Sequence, residues 1–152
     1  MQQQKVVPKA IYSVLGGAAS SYKFVKEYAE AANGIIDCNH WFNPKDKKAQ
    51  ELKKRAEAKG LYFSYELFMS YTAMKLLAQA IEEAKSTDRA AIIDALNKTK
   101  FSDHIMPYGP TQFVNGQNTG AQPLMTQVIK GDIKVIIPRD YREAEPIFPL
   151  NA

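Results

Sequence analysis

Residues 9–38, Lys-Ala-Ile-Tyr-Ser-Val-Leu-Gly-Gly-Ala-Ala-Ser-Ser-Tyr-Lys-Phe-Val-Lys-Glu-Tyr-Ala-Glu-Ala-Ala-Asn-Gly-Ile-Ile-Asp-Cys, carry the pattern on which the fold turns. Residues 9–15 form a short apolar run entering Gly16-Gly17, as a buried strand does before a turn. Ser20 and Ser21 follow as N-cap candidates, because a hydroxyl can accept from the free amides of a first helical turn. Phe24, Val25, Tyr28, Ala29 and Ala32 then recur on one helical stripe, and Asn33-Gly34 is a left-handed C-cap pattern. Gly34-Ile-Ile-Asp-Cys38 reads as a second strand. Strand, glycine turn, helix and strand within about 30 residues make a βαβ unit, with parallel strands and a right-handed crossover. The predicted class is α/β, with a parallel sheet flanked by helices and a C-terminal β-hairpin.

The rest of the chain adds helices first and strands last. Asn43-Pro44 predicts a helix start with Asn as N-cap and Pro in the first turn, and Ala49, Leu52 and Ala56 give that helix one apolar stripe before Gly60. Residues 64–85 are the strongest helix, with one face of Leu67, Tyr71, Met74, Ala78 and Ile81 and a second of Met69, Ala73, Leu76, Ala80 and Ala84. Two stripes call for burial on most sides. Ser86-Thr87-Asp88 caps a shorter helix with Ile92, Ile93 and Leu96 facing inward. Beyond Phe101, turn-rich stretches flank a short strand over 111–114. Residues 125–129 and 133–137 are strands joined through Lys130-Gly131-Asp132 as a hairpin, and the three prolines from Pro138 onward imply an extended tail. The long helix demands more covering surface than this sparse sheet can offer, so a partner or further chain is expected to supply it.

Composition narrows the classes. The chain has 152 residues, 45% of them hydrophobic and 24% charged, with eight Gly and eight Pro, which excludes a disordered or fibrous polymer. A chain of this length buries roughly 68–70% of its unfolded surface and needs no staple to hold a core. One cysteine, Cys38, excludes an internal disulfide and a multi-cysteine zinc site. No apolar run reaches the roughly 20 residues of a membrane span, and the start carries no secretory signal. Net charge is +4, but the densest basic run, 45–59, interleaves Asp46, Glu51 and Glu57 among its lysines, as a solvated helix face does; no nucleic-acid partner is expected.

The chemistry-bearing residues gather after the two strands. Gly16-Gly17 lies between a strand and a helix, where amides and the dipole favour an anion. It lacks the third glycine of a dinucleotide fingerprint and the Gly-Lys-Ser/Thr of a P-loop. A serine-capped turn and the wall of a ligand cleft are both compatible with it. Cys38 and His40 alternate onto one face, but a metal site needs a third ligand, and the other histidine, His104, lies in a remote turn-rich segment. Trp41 offers a ring that could stack on a ligand at a cleft edge. Tyr65 and Glu66 occupy the first turn of the long helix, where a side chain can reach a cleft and where Glu66 also suits the helix dipole. No nucleophile-elbow, zincin, kinase or flavin motif is found, and no catalytic residue, metal or cofactor is expected.

Five segments in order carry a resemblance. They are Ala29–Gly34 with Ile35-Ile36; Ser70-Tyr71-Thr72-Ala73 followed by Leu76–Glu82; Ser86–Arg89 running to Asp94-Ala95-Leu96; Gly109–Phe113 with Asn115-Gly116; and Gln127-Val128 to Gly131. Together they resemble the C-terminal part of the type I periplasmic solute-binding proteins of ABC importers, nearest the branched-chain amino acid (leucine/isoleucine/valine) binders. The resemblance runs from about Lys9 to Pro149 and implies a portion of a two-lobed fold whose N-terminal lobe lies outside this chain. It divides the chain into 1–43 as part of the second lobe, 44–122 as mainly the returning part of the first, and 123–152 as hairpin and tail of the second. The implied activity is non-enzymatic capture of a small molecule in an interlobe cleft, delivered to an inner-membrane permease, in a periplasmic parent protein. Leu15, Gly16, Gly17, His40, Trp41, Tyr65 and Glu66 are the implied cleft residues.

Amino-acid binders of that family carry an acid after the strand matching 9–15, to pair the ligand ammonium. Here the loop reads Leu15-Gly16-Gly17-Ala18-Ala19, which favours an aromatic or aliphatic carboxylate over an amino acid. Two other readings stand beside this one: a cytoplasmic ligand sensor on the same fold, and a small α/β enzyme using Cys38 or His40. Self-association through uncovered apolar surface is also expected.

Overall fold

The computed structural model describes residues 4–6, 8–14 and 17–150. These form two compact units, one from residues 1–65 with 123–152 and the other from 66–122. Residues 44–65 therefore cluster with the first unit and not with 66–122. No helix among the described residues is long and apolar enough to cross a membrane.

The first unit is built on three hydrogen-bonded strands in the order β1 (Ile36–Asn39), β4 (Leu124–Ile129), β5 (Asp132–Ile137), all antiparallel neighbours. The register pairs Ile36 with Gln127 and Asn39 with Leu124, then Val128 with Ile133, with an irregularity between Met125 and Thr126. Among the described residues, the expected parallel strand over 9–15 reduces to a bridge between Tyr12 and Ile36, made by Ile36 N–H to the Ile11 carbonyl (2.9 Å) and Ser13 N–H to the Ile36 carbonyl (2.8 Å). The sheet is thus mixed, because the returning hairpin supplies β1 with its second neighbour. That hairpin turns on Lys130 (φ 52°) and Gly131 (φ 73°), the two positive φ angles of a type I′ turn.

The helix expected from Ser20–Ser21 to Asn33 is broken. A 3-10 turn (Ala18–Ser20) precedes α1 (Tyr22–Glu27), and α2 (Ala29–Ala32) follows a break at Tyr28, whose φ and ψ are −120° and 42°. Neither serine caps: Ser21 makes no side-chain cap bond, and Ser20 is committed elsewhere. Of the stripe only Val25 and Ala32 are buried, joined by Tyr22 from outside it, while Tyr28 is about half exposed (49%). α1 packs on β5 and the 3-10 turn on β1 and β4, and Val128, Ile133 and Val135 of those strands are buried. Gly34 (φ 85°) leads into β1, and a side chain there would meet Leu150 Cδ2 at 2.2 Å. α3 (Lys47–Glu57) starts at Asp46 rather than Asn43: the Asp46 carboxylate accepts from Lys48 N–H (2.6 Å) and Ala49 N–H (3.2 Å). Asn43 instead closes a local turn by accepting from Lys45 N–H at 2.9 Å.

The tail is strapped on rather than loose. Gln127, buried on β4, donates to the Gly34 and Ile147 carbonyls (2.9 and 3.0 Å) and accepts from Ile147 N–H (2.8 Å). Leu150 N–H reaches the Lys9 carbonyl at 2.9 Å. After a 3-10 turn (Arg139–Tyr141), Glu143 serves the outer side of β5: its carboxylate accepts from Val135 N–H (2.9 Å) and its own N–H donates to the Val135 carbonyl (2.8 Å). Arg142 donates to the Ile136 carbonyl at 2.9 Å and holds Glu145 through two bonds of 2.8 Å.

The second unit contains most of α4 (Tyr65–Ala84) and all of α5 (Arg89–Lys98), with a small hairpin of β2 (Phe113–Val114) and β3 (Gln117–Asn118). Asp88 caps α5 by accepting from Ala90 and Ala91 N–H (2.9 and 3.1 Å), and Asn115-Gly116 makes the hairpin turn with positive φ at both residues. On α4 only Phe68 and Ala80 are buried; Met74 is 65% exposed, and Met69 and Leu77 38% each. His104 pins the loop before the hairpin. Met106 N–H donates to its Nδ1 (3.3 Å), which puts the ring proton on Nε2, 3.0 Å from the Gly109 carbonyl.

Candidate functional site

The Tyr12–Ile36 bridge is parallel, so segment 11–13 and β1 run out at the same margin of the sheet. Open α/β sheets bind ligands at that margin. Val14 and Asn39 end the two segments there. Leu15 and Gly16 lie outside the described residues. Gly17 is half-buried against Ser13 and Asp37: a Cβ at Gly17 would stand 1.8 Å from Ser13 Oγ and 3.9 Å from Asp37 Oδ2. No larger residue fits there without displacing Ser13.

Asp37 is the residue that sequence reasoning missed. It is fully buried on β1, where its Oδ2 accepts the hydroxyl of fully buried Ser20 and its Oδ1 accepts from Cys38 N–H at 2.8 Å. A carboxylate inside an apolar strand requires such partners, and that requirement was the available clue. Asn39, two residues along the same face, is buried with its Oδ1 accepting from His40 N–H (2.8 Å). The turn after Gly17 is closed internally, since Ser20 N–H donates to the Gly17 carbonyl (2.9 Å) and Ser21 N–H to the Ala18 carbonyl (3.0 Å). Those amides are therefore not offered to an anion, and the six-residue α1 adds little dipole.

His40 is half-buried directly after β1. Trp41 is fully buried, tilted 37° against Tyr22 at 6.4 Å between ring centroids and 31° against Phe42 at 5.7 Å. Phe42 in turn meets Phe63 edge-on at 4.9 Å. An exposed stacking ring does not fit this burial; Trp41 underpins the margin as part of an aromatic column. Cys38 is free and half-buried, and among the described residues no group of three or more His, Cys, Asp and Glu side chains could hold a metal ion. Tyr65 opens α4 half-buried in the first unit, while Glu66, exposed in the first turn, belongs to the second.

The sequence matches the profile of the periplasmic binding proteins over residues 4–132. The chain belongs to the periplasmic binding protein family. Three solved structures share its fold. A leucine binding protein, LivK, from Thermotoga maritima MSB8 is 20% identical with a TM-score of 0.66, over 82% of this chain and 36% of its own. A provisionally named branched-chain amino acid ABC transporter from Silicibacter pomeroyi is 17% identical with a TM-score of 0.71, over 98% and 42%. An extracellular ligand-binding receptor from Rhodopseudomonas palustris HaA2 is 20% identical with a TM-score of 0.68, over 88% and 42%. This family member thus spans between 36% and 42% of the length of those proteins. No significant match is found among curated proteins.

Proposed function

We propose that the chain is the C-terminal part of a periplasmic solute-binding component of an ABC importer, which captures a small organic molecule and hands it to an inner-membrane permease. The observation that carries this reading is the family match over residues 4–132. In the proposed division, residues 1–43 and 123–152 belong to the second lobe of the parent, and 44–122 mainly to the returning part of the first. The ligand-facing margin of the second lobe is Leu15–Gly17 with His40, on the footing that Trp41 provides. Tyr65 and Glu66 are the proposed contributions from α4.

The ligand is an organic carboxylate lacking an ammonium group, ahead of an amino acid. The support is chemical: loop 15–19 has no acid, and the nearby Asp37 spends both oxygens on Ser20 and Cys38. An ammonium brought to this margin would meet no counter-charge from the second lobe and would depend on Glu66 of α4, and an unpaired buried charge costs several kcal/mol, on the order of a thousandfold in affinity. Calorimetric titration of the parent protein tests this: benzoate-like acids should bind at least about tenfold tighter than leucine. Tight leucine binding with the acids inert would overturn the ligand class. If neither binds, nor any other small metabolite in a thermal-shift panel, the binding role itself falls.

A further inference from the structure

The first unit has a cleft of about 410 Å³ away from the sheet margin, framed by α1, the C-terminal half of α3, the loop from Gly60 to Phe63 and the start of β5. We propose that this cleft is a separate small-molecule site, taking a ligand with an aryl or branched alkyl body and one carboxylate. It draws on side chains that the sheet margin does not use and stands independently of the importer role.

Its floor is apolar and fixed. Phe63 (1% exposed) and Tyr22 (7%) are held in the aromatic column that includes Trp41 and Phe42. Its rim is apolar and open: Leu61 and Tyr62 are 52% and 53% exposed beside that buried floor. A ligand body laid between rim and floor would cover both, the combination of apolar walls and few polar groups that small-molecule sites use at 300–1,000 Å³ or so. The turn at Gly60 (φ 71°) sets the rim, and nothing lies within 4 Å of the position its Cβ would take.

The placement of charge selects the headgroup. The lining carries two cations, Lys26 and Lys53, against two carboxylates, Glu57 and Asp132, so position and not net charge decides. Asp132 is already answered, by Lys134 at 2.7 Å and by Ile133 N–H at 2.9 Å. Burial, then the Asp132 and Glu143 charges, push the Tyr22 phenol above its ordinary value, so it keeps its proton as a donor. Lys26 spends one donor on the Gly131 carbonyl at 3.0 Å. Lys53 leans over the Tyr22 ring, 5.8 Å from its centroid, which puts its ammonium at the cleft mouth above the apolar floor. That is where a carboxylate would be held while its body lies against Tyr62 and Phe63.

The test is titration of the 152-residue chain with 3-phenylpropionate, followed by the fluorescence of Trp41, the single tryptophan. Saturable change with a Kd in the millimolar range or below is expected, and the neutral 3-phenylpropionamide should bind about tenfold more weakly. Lys53→Gln and Tyr62→Ala should each weaken binding about tenfold with unchanged far-ultraviolet circular dichroism, while Lys23→Gln, on the exposed side of α1, leaves it unaltered. Equal binding of acid and amide overturns the proposal, as does equal affinity in Lys53→Gln and Tyr62→Ala, which would put the ligand elsewhere. A response that fails to saturate by about 20 mM overturns it too.

Discussion

Asp37 and Ser20 show how one buried pair can organise a margin. The two residues are 17 apart in sequence and both fully buried, and their bond ties the 3-10 turn to β1 directly behind Gly17. Removing the carboxylate leaves the Ser20 hydroxyl and Cys38 N–H without their acceptor. Asp37→Ala should therefore cost about 2–4 kcal/mol, as two buried groups lose their partner, read from urea denaturation. Asp37→Asn keeps an acceptor and should cost less than half of that. Equal stability of all three forms would refute the pair's structural role. This pair was not legible in the sequence: Ser20 looked like a cap, because capping is a local rule and its actual partner is supplied by a distant strand. Trp41 misled for a related reason, since exposure depends on what Tyr22 and Phe42 bring to it.

The elements themselves were readable wherever local chemistry decides them. The hairpin of β4 and β5 turns where Lys130-Gly131 permits two positive φ angles, and α5 starts where Asp88 caps it. α3 was displaced by a few residues because two capping candidates compete, and Asp46 reaches two amides. Asp46→Ala should cost about 1 kcal/mol, read from the same denaturation curves. The hairpin also carries a pH dependence. Burial opposes the charge of Asp132, but the Lys134 hydrogen bond and charge outweigh it, and its carboxyl sits below the ordinary 3.8. The Asp132 bond correspondingly raises Lys134 above 10.5. The Asp132 contribution is present at neutral pH and is lost as pH falls below about 4 through its lowered value; that of Lys134 is lost as pH rises past 10.5 through its raised one. Both side chains are about a third exposed, so the pair is worth roughly 0.5 kcal/mol. The stability gap between wild type and Asp132→Asn should be flat between about pH 5 and 9 and close at both extremes.

For the molecule as a whole, family membership and fold were legible because five ordered segments each kept their turn residues and helix periods. The packing of residues 44–65 with the first unit rests on contacts far apart in sequence, which local patterns do not carry. Met74, 65% exposed on α4, leaves apolar surface in water, and Met74→Lys should raise the concentration at which the isolated chain begins to form larger species in sedimentation velocity runs. Gly34→Ala should cost about 1–3 kcal/mol and make the tail more susceptible to limited proteolysis, because a methyl group at φ 85° also collides with Leu150. The grip of Glu143 on Val135 has one more consequence. With the outer amide and carbonyl of Val135 occupied, β5 offers a poor template to an incoming strand. The sheet can therefore grow in one direction only, past segment 11–13, so neighbouring molecules are denied the side on which runaway edge-to-edge stacking would begin.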